Sequence, residues 1–271
     1  MAINRRAFGN ICVGAAITSR IASAQEEAPK AAAEPAATLP KVRKLFKSPE
    51  LHPNDLEAAP DGLWIGDQVS EVVNKVDWKT GKMLVSLETE AHNTSGLAVG
   101  GGSLWISCNG GVSKRRAPRP NDRPIAEILQ ADPKTGKTIK WHQPPWPAGI
   151  HGVTFAEKTG TLWVAAPSLN VIVEMDPKDM RIVHMIPIKG DRVHGLDWQD
   201  GTLWVVMAGD RIIKRLDAKT GKVAEVLKIA AEDPDPHGLC LHQGSVYYCD
   251  AGLTATSAGT APGYICSIDQ T

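Results

Sequence analysis

The sequence predicts an all-β chain folded as a β-propeller, and three observations carry that prediction. Similar units recur: Ile150-His151-Gly152-Val153 leads to Leu162-Trp163-Val164, Val193-His194-Gly195-Leu196 to Leu203-Trp204-Val205, and Pro236-His237-Gly238-Leu239 to Val246-Tyr247-Tyr248. The interval from His151 to His194 is 43 residues, and from His194 to His237 again 43. Units of this kind continue into an alternating apolar strand that ends in Asp, and three of those strands run into the same Lys-Thr-Gly-Lys turn, at 79–82, 134–137 and 219–222. Helix-like apolar spacing is scarce, although 42% of the residues are hydrophobic and can build a core. Four antiparallel strands every ~40–45 residues is the signature of a propeller blade.

Taken in order, the first unit opens on Asn54 and reaches Leu63-Trp64, and the second opens on Ser95-Gly96-Leu97 and reaches Leu104-Trp105. The third, fourth and fifth open on His151, His194 and His237. From opening residue to aromatic is 10 residues in four units and 12 from His151, where 157–160 makes a longer hairpin. His52 also lies 12 residues before Trp64, so His52 could be the true equivalent of His151. The Asp-ended strands close on Asp77, Asp132, Asp176 and Asp217, and the turn glycine supplies a positive φ. The fifth unit stops short, at 264–269. Its missing outer strand is expected from 41–47, Lys-Val-Arg-Lys-Leu-Phe-Lys, which resembles 222–228. Such a strand closes the ring and removes exposed edges. Five four-stranded blades follow; six, the alternative, would need a strand-turn-strand pattern within 108–128, which holds none. Trp64, Trp105, Trp163 and Trp204 recur in register and read as packing between blades.

The ends carry a different message. Asn4-Arg5-Arg6-Ala7-Phe8 is a twin-arginine pattern, followed by an apolar run at 11–17 and an Ala22-Ser23-Ala24 cleavage site. Residues 1–24 are therefore expected to be a Tat-type export signal, which places the mature chain in a bacterial periplasm. Residues 25–38 are Ala-, Pro- and Glu-rich and read as a disordered spacer, leaving 39–271 as a single propeller domain. With 30 basic and 30 acidic residues the chain is formally neutral, so no bulk charge argues for a nucleic-acid partner. No segment outside the signal approaches the about 20 apolar residues of a membrane span. A monomer is expected. Cys249 and Cys266 fall on adjacent strands, where a bridge could form; Cys108 and Cys240 read as buried apolar residues.

Chemistry is expected on the innermost strands, which line the channel of a propeller. His151, His194 and His237 share one ring position with Asn54 and Ser95. Three residues on, the ring reads Glu57, Ala98, Thr154, Asp197, Cys240. Three imidazoles far apart in sequence thus converge on one axis, which suits a divalent metal ion, a transition metal rather than calcium. Glu57 and Asp197, expected in the same cavity, would orient a ligand or act as general base. His52 and His92 are possible further ligands. Two insertions, 109–126 and 251–263, are expected over the same face as lids. The first carries Lys114, Arg115, Arg116, Arg119 and Arg123, of which Arg115 and Arg116 are the candidates to hold a carboxylate or phosphate. Trp146, in the Trp- and Pro-rich run 141–147, is a candidate to stack on an aromatic or sugar ring.

The repeat Gly-Leu/Val, a few residues, Gly-x-Leu-Trp-Val, then Asp-x-Lys-Thr-Gly-Lys resembles the repeats of streptogramin (virginiamycin B) lyases and of the NHL and SMP-30-type propellers, over residues 50–269. That resemblance implies a propeller and, from the lyases, elimination chemistry with a divalent metal held by His and Glu; the lyases have more blades. SMP-30-type calcium sites use carboxylate and amide ligands, of which Glu57 and Asn54 are the matching types here. The expectation is an exported metal-dependent enzyme acting on a small organic substrate by elimination or hydrolysis. A non-catalytic propeller that binds a metal, ligand or partner protein is the alternative.

Overall fold

The computed structural model describes residues 33–251 and 263–269. The signal peptide expected at 1–24 and most of the lid expected at 251–263 lie outside them. The described residues from Glu34 onward cluster as one compact unit. Within it, five four-stranded antiparallel sheets form a five-bladed propeller. Blade 1 holds β2 (Pro53–Ala59), β3 (Gly62–Asp67), β4 (Val72–Val76) and β5 (Met83–Glu88). Blade 2 holds β6 (Thr94–Gly100), β7 (Ser103–Cys108), β8 (Glu127–Ala131) and β9 (Thr138–His142). Blade 3 holds β10 (Val153–Ala156), β11 (Thr161–Ala166), β12 (Val171–Met175) and β13 (Ile182–Pro187). Blade 4 holds β14 (Val193–Gln199), β15 (Thr202–Met207), β16 (Ile212–Asp217) and β17 (Val223–Lys228). Blade 5 is completed across the termini: β18 (Pro236–His242), β19 (Ser245–Asp250) and β20 (Tyr264–Asp269) pair in order, and β1 (Val42–Lys47) adds outside β20. The pairing runs from Val42 opposite Ile268 to Lys47 opposite Tyr264.

The recurrent residues do what their spacing implies. Trp64 packs against blade 2, Trp105 against blade 3, Trp163 against blade 4 and Trp204 against blade 5, all nearly buried. Each therefore cements a sheet to its successor through apolar burial. The Asp-Lys-Thr-Gly corner is an Asx turn: Asp77 Oδ1 accepts from the backbone N–H of Thr80 at 2.8 Å and from its hydroxyl at 2.6 Å. Asp132 and Asp217 repeat those contacts with Thr135 and Thr220. Gly81, at φ 67°, completes the turn.

Two expectations about the periphery change. The spacer is not wholly structureless: Thr38 exchanges backbone hydrogen bonds with Val226 and Lys228 as a parallel bridge on the edge of blade 4, and Glu34 pairs with the buried Lys214 ammonium at 2.8 Å. The open edge of β17 supplies the unpaired backbone groups that order this stretch. Cys249 and Cys266 are not bridged; all four described cysteines are buried free thiols. Cys249 pairs with Ile265 and Cys266 with Tyr248, one residue out of step. Successive residues point to opposite faces of a sheet, so the two thiols join different cores.

Candidate functional site

The axis is tight. A Cβ on Gly195 would meet Gly238 Cα and the His237 carbonyl at 2.7 Å, so only glycine lets these inner strands approach. At this point of the inner strands the ladder slips: Pro53/Asp55, Thr94/Gly96, Val193/Leu196 and Pro236/Leu239 mark register shifts in four of the inner hairpins. A bulge there re-aims one side chain per blade toward the axis. Those side chains are Asn54, Ser95, His194 and His237, joined by His151 from blade 3. The ladder settles the equivalence left open by spacing: Pro53, Thr94, Val193 and Pro236 occupy one register position, so Asn54 matches His194 and His52 lies on the rim. The 12-residue match of His52 arose because the blade 3 hairpin is itself longer.

The three ring imidazoles meet at the axis. The centroids of His194 and His237 are 3.7 Å apart, those of His151 and His194 4.3 Å, and His52 stands edge-on to His237 at 6.4 Å. Nδ1 of His151, His194 and His237, and both nitrogens of His52, are buried without a hydrogen-bond partner among the described residues. Burial drives their pKa values down, that of His52 to about 3 and that of His151 to about 4, with the Arg115 charge adding to the first and Arg192 to the second. His194 and His237 are pushed well below 6.5, again chiefly by burial. All four are neutral near pH 7, with lone pairs available.

His151, His194 and His237 floor a cavity of about 770 Å³ lined besides by Asn54, Gln68, Asn93, Ser95, Asn109, Ser113, Lys114, Arg115 and Arg192, and no described lining residue is Asp or Glu. The roof is the blade 2 insertion, held down by Arg116 and Arg119. The Arg116 guanidinium donates to Glu71 at 2.9 Å and grips Asp122, while Glu71 accepts from the Asn93 and Thr94 backbone at 2.8 and 3.1 Å. Arg119 donates to the Val69 and Ser70 carbonyls at 2.9 and 3.2 Å. The insertion thus forms a bolted roof, and Arg115, beside the bolt, lines the cavity.

Several expected site residues stand elsewhere. Asp197 and Glu57 line a second cavity, of about 320 Å³, with Thr154, Glu157 and Asp200, and do not reach the imidazole cavity. Three residues of extended strand span about 10 Å, enough to carry them to the other mouth. Asp197 there ties blades together, accepting from the Leu241 N–H at 2.7 Å and the Thr154 hydroxyl at 3.3 Å. Burial lifts its pKa to about 7, and burial plus the Asp197 and Asp55 charges lift Glu57 well above the usual range. Arg116 is occupied as the roof bolt. Trp146 is buried in the core between blades 2 and 3 and offers no stacking face. His92 is fully buried against Trp141, 3.8 Å from Glu127, outside the cluster.

Two residues were missed. Asp55 stands where four blades carry glycine; its carboxylate is buried, accepts from the Leu97 N–H at 3.0 Å and completes a carboxyl group with Glu57 and Asp197. The departure from His-Gly and Ser-Gly was its visible signal. Arg192, two residues before His194, lines the imidazole cavity; a single arginine in a loop gives no such signal.

The metal expectation meets a mixed donor set. The unpartnered imidazole nitrogens are the right chemistry for a d-block ion. As placed, however, the rings lie against one another, and among the described residues no three His, Cys, Asp or Glu side chains are arranged as a metal-holding set.

No family model and no curated protein matches this sequence. Solved structures do. A glutaminyl cyclase of Myxococcus xanthus superposes with TM-score 0.59 at 10% identity, covering 86% of this chain and 99% of its own. A luciferin-regenerating enzyme gives 0.53 at 12%, covering 85% and 95%. A streptogramin B lyase gives 0.49 at 15%, covering 85% and 87%. The chain folds as the first two of these do. Identities this low speak for the fold alone, and function rests on the site.

Proposed function

We propose that this chain is an exported enzyme that acts on a small organic substrate at the imidazole mouth, by elimination or hydrolysis, with a transition-metal ion held by His151, His194 and His237. One observation carries the reading: three neutral imidazoles with unpartnered Nδ1 atoms floor a roofed cavity at the axis. Burying unpaired polar atoms is costly, and a ligand or ion that engages them removes that cost. Because the rings are already deprotonated, ligation displaces no proton from them near neutral pH. The rings would have to turn out of their mutual contact to ligate together. The chemistry such an ion supplies is polarisation of a substrate oxygen or activation of water. The blade 2 insertion roofs the ring and would limit the access of water to it. Export, through the twin-arginine signal, delivers the protein to the periplasm as a folded monomer.

Metal analysis of protein purified through its own export route tests this. About one transition-metal ion per chain is expected, lost in His194→Ala with the fold retained. A metal-free protein whose melting midpoint does not respond to added Zn²⁺ would remove the metal from the proposal. The lack of any described carboxylate in the cavity favours a second reading, a propeller that binds its ligand without turning it over. Stoichiometric ligand uptake without product formation would select it.

A further inference from the structure

The imidazole cavity has an electrostatic character that its histidines alone do not explain. Arg115 and Arg192 both line it, and Lys114 stands at its edge. Neither guanidinium has a hydrogen bond or ion pair among the described residues, and Arg192 Nε is buried without a partner. The two charges oppose each other: burial lowers the Arg115 pKa and the Arg192 charge lowers it further. Asp191 and Asp235 stand near Arg192 and offset part of its charge. Neither lines the cavity, and Asp235 is paired at 2.9 Å with Arg211. Elsewhere in the molecule arginines are matched: Arg116 to Glu71 and Asp122, Arg123 to Glu127, Arg215 to Glu225.

The backbone adds an independent sign. Arg192 has φ 55°, a left-handed conformation uncommon for a side chain other than Gly, Asn or Asp. The equivalent rim residue of blade 2 is Asn93, at φ 49°, a residue suited to that conformation. Arginine at this position is held in an unfavourable backbone state at the cavity rim. Strain retained at a cavity is a pointer to function when the side chain has no structural partner.

We propose that Arg115 and Arg192 form an oxyanion clamp across the mouth, and that the ligand is a small organic anion whose carboxylate or phosphate group they grip while its uncharged part lies against the imidazoles. Guanidinium groups bind such oxyanions through paired N–H donors, and a cavity shielded from water strengthens each contact. The volume, about 770 Å³, suits a ligand of that size. This deepens the proposed function, since it assumes the imidazole mouth is the ligand site.

Calorimetric titration at fixed ionic strength, with inorganic phosphate and with succinate as separate probes, tests the clamp. Saturable binding of at least one probe is expected, and the stronger tells which oxyanion is preferred. Arg115→Gln and Arg192→Asn should each weaken it by about 10- to 100-fold, the loss of one charge-assisted pair. Asn keeps the left-handed backbone, so Arg192→Asn should fold; a wild-type melting midpoint checks this. Arg215→Gln, on the outside of blade 4, should leave binding unchanged. Absence of saturable binding to either probe, or binding equal in wild type and both clamp variants, would overturn the proposal. The two proposals fail separately. Loss of oxyanion binding in clamp variants that still take up Zn²⁺ supports the clamp, whereas oxyanion binding by a chain that takes up no metal leaves the clamp standing and removes the metal.

Discussion

The two mouths of the channel are built from the same five strands and are chemical opposites. One gathers three imidazoles, two unpaired guanidiniums and a lysine, with no described carboxylate in its lining. The other gathers Glu57, Asp197, Glu157 and Asp200, with Asp55 buried behind them. Asp197 spends its oxygens on the Leu241 backbone and Thr154, so it holds the ring together. The imidazoles spend almost nothing on the protein. A group that satisfies its neighbours reads as architecture; a buried group left unpartnered reads as a site.

The largest effect should separate the mouths outright. His194→Ala is expected to reduce transition-metal affinity by more than the roughly 10- to 100-fold typical of losing an outer-shell partner, at little cost in stability. Equilibrium metal titration against a competing chelator reads it, and retention of wild-type affinity would break the contrast from the imidazole side.

Asp197→Ala should do the reverse. It leaves the Leu241 N–H buried without an acceptor, which costs about 2 kcal/mol, and it should leave oxyanion and metal uptake at the opposite mouth unchanged. Urea unfolding measures the first and calorimetry the second. Abolished uptake in a folded Asp197→Ala chain would mean that the two cavities work as one.

The pH dependence of stability should carry opposite signs. The histidine pKa values are depressed, so between 6.5 and about 4 the unfolded chain binds protons that folded His151 does not, and stability is lost as pH falls. The Asp197 pKa is raised, so between 3.8 and about 7 the folded chain keeps a proton that the unfolded chain releases, and stability is lost as pH rises. Each group contributes up to about 1.4 kcal/mol per pH unit inside its window, and in wild type the two partly cancel. His151→Phe should make the slope of stability against pH more negative, and Asp197→Asn more positive. Denaturant melts from pH 4 to 8 would sharpen the comparison, and equal slopes in all three chains would dissolve it.

The smallest effect expected is none. Cys108 lies on the imidazole side of the ring, while Cys240 and Cys249 lie beside the carboxyls, and burial raises all three thiols. Native-state thiol labelling should be equally slow at all of them, and reductant should not move the melting midpoint. A reductant-sensitive midpoint would point to a disulfide that this fold does not place.

Blade number, strand order, the closing strand and the packing tryptophans were legible in the sequence because each is a local pattern copied at a fixed interval. The equal 43-residue spacing likewise puts His151, His194 and His237 on one ring. What spacing could not reveal was which charges share a cavity. Glu57 and Asp197 look adjacent to the histidines in sequence, yet three extended residues and a glycine-tight axis put them at the far mouth. Arg116 and Arg115 are neighbours with opposite fates, one neutralised by Glu71 and Asp122, the other left facing the cavity. Arg192 occupies a repeat position at which no other described blade carries arginine. Repetition is written along the chain and can be read there. Charge balance is a sum over side chains from different blades, and only the closed ring carries it out.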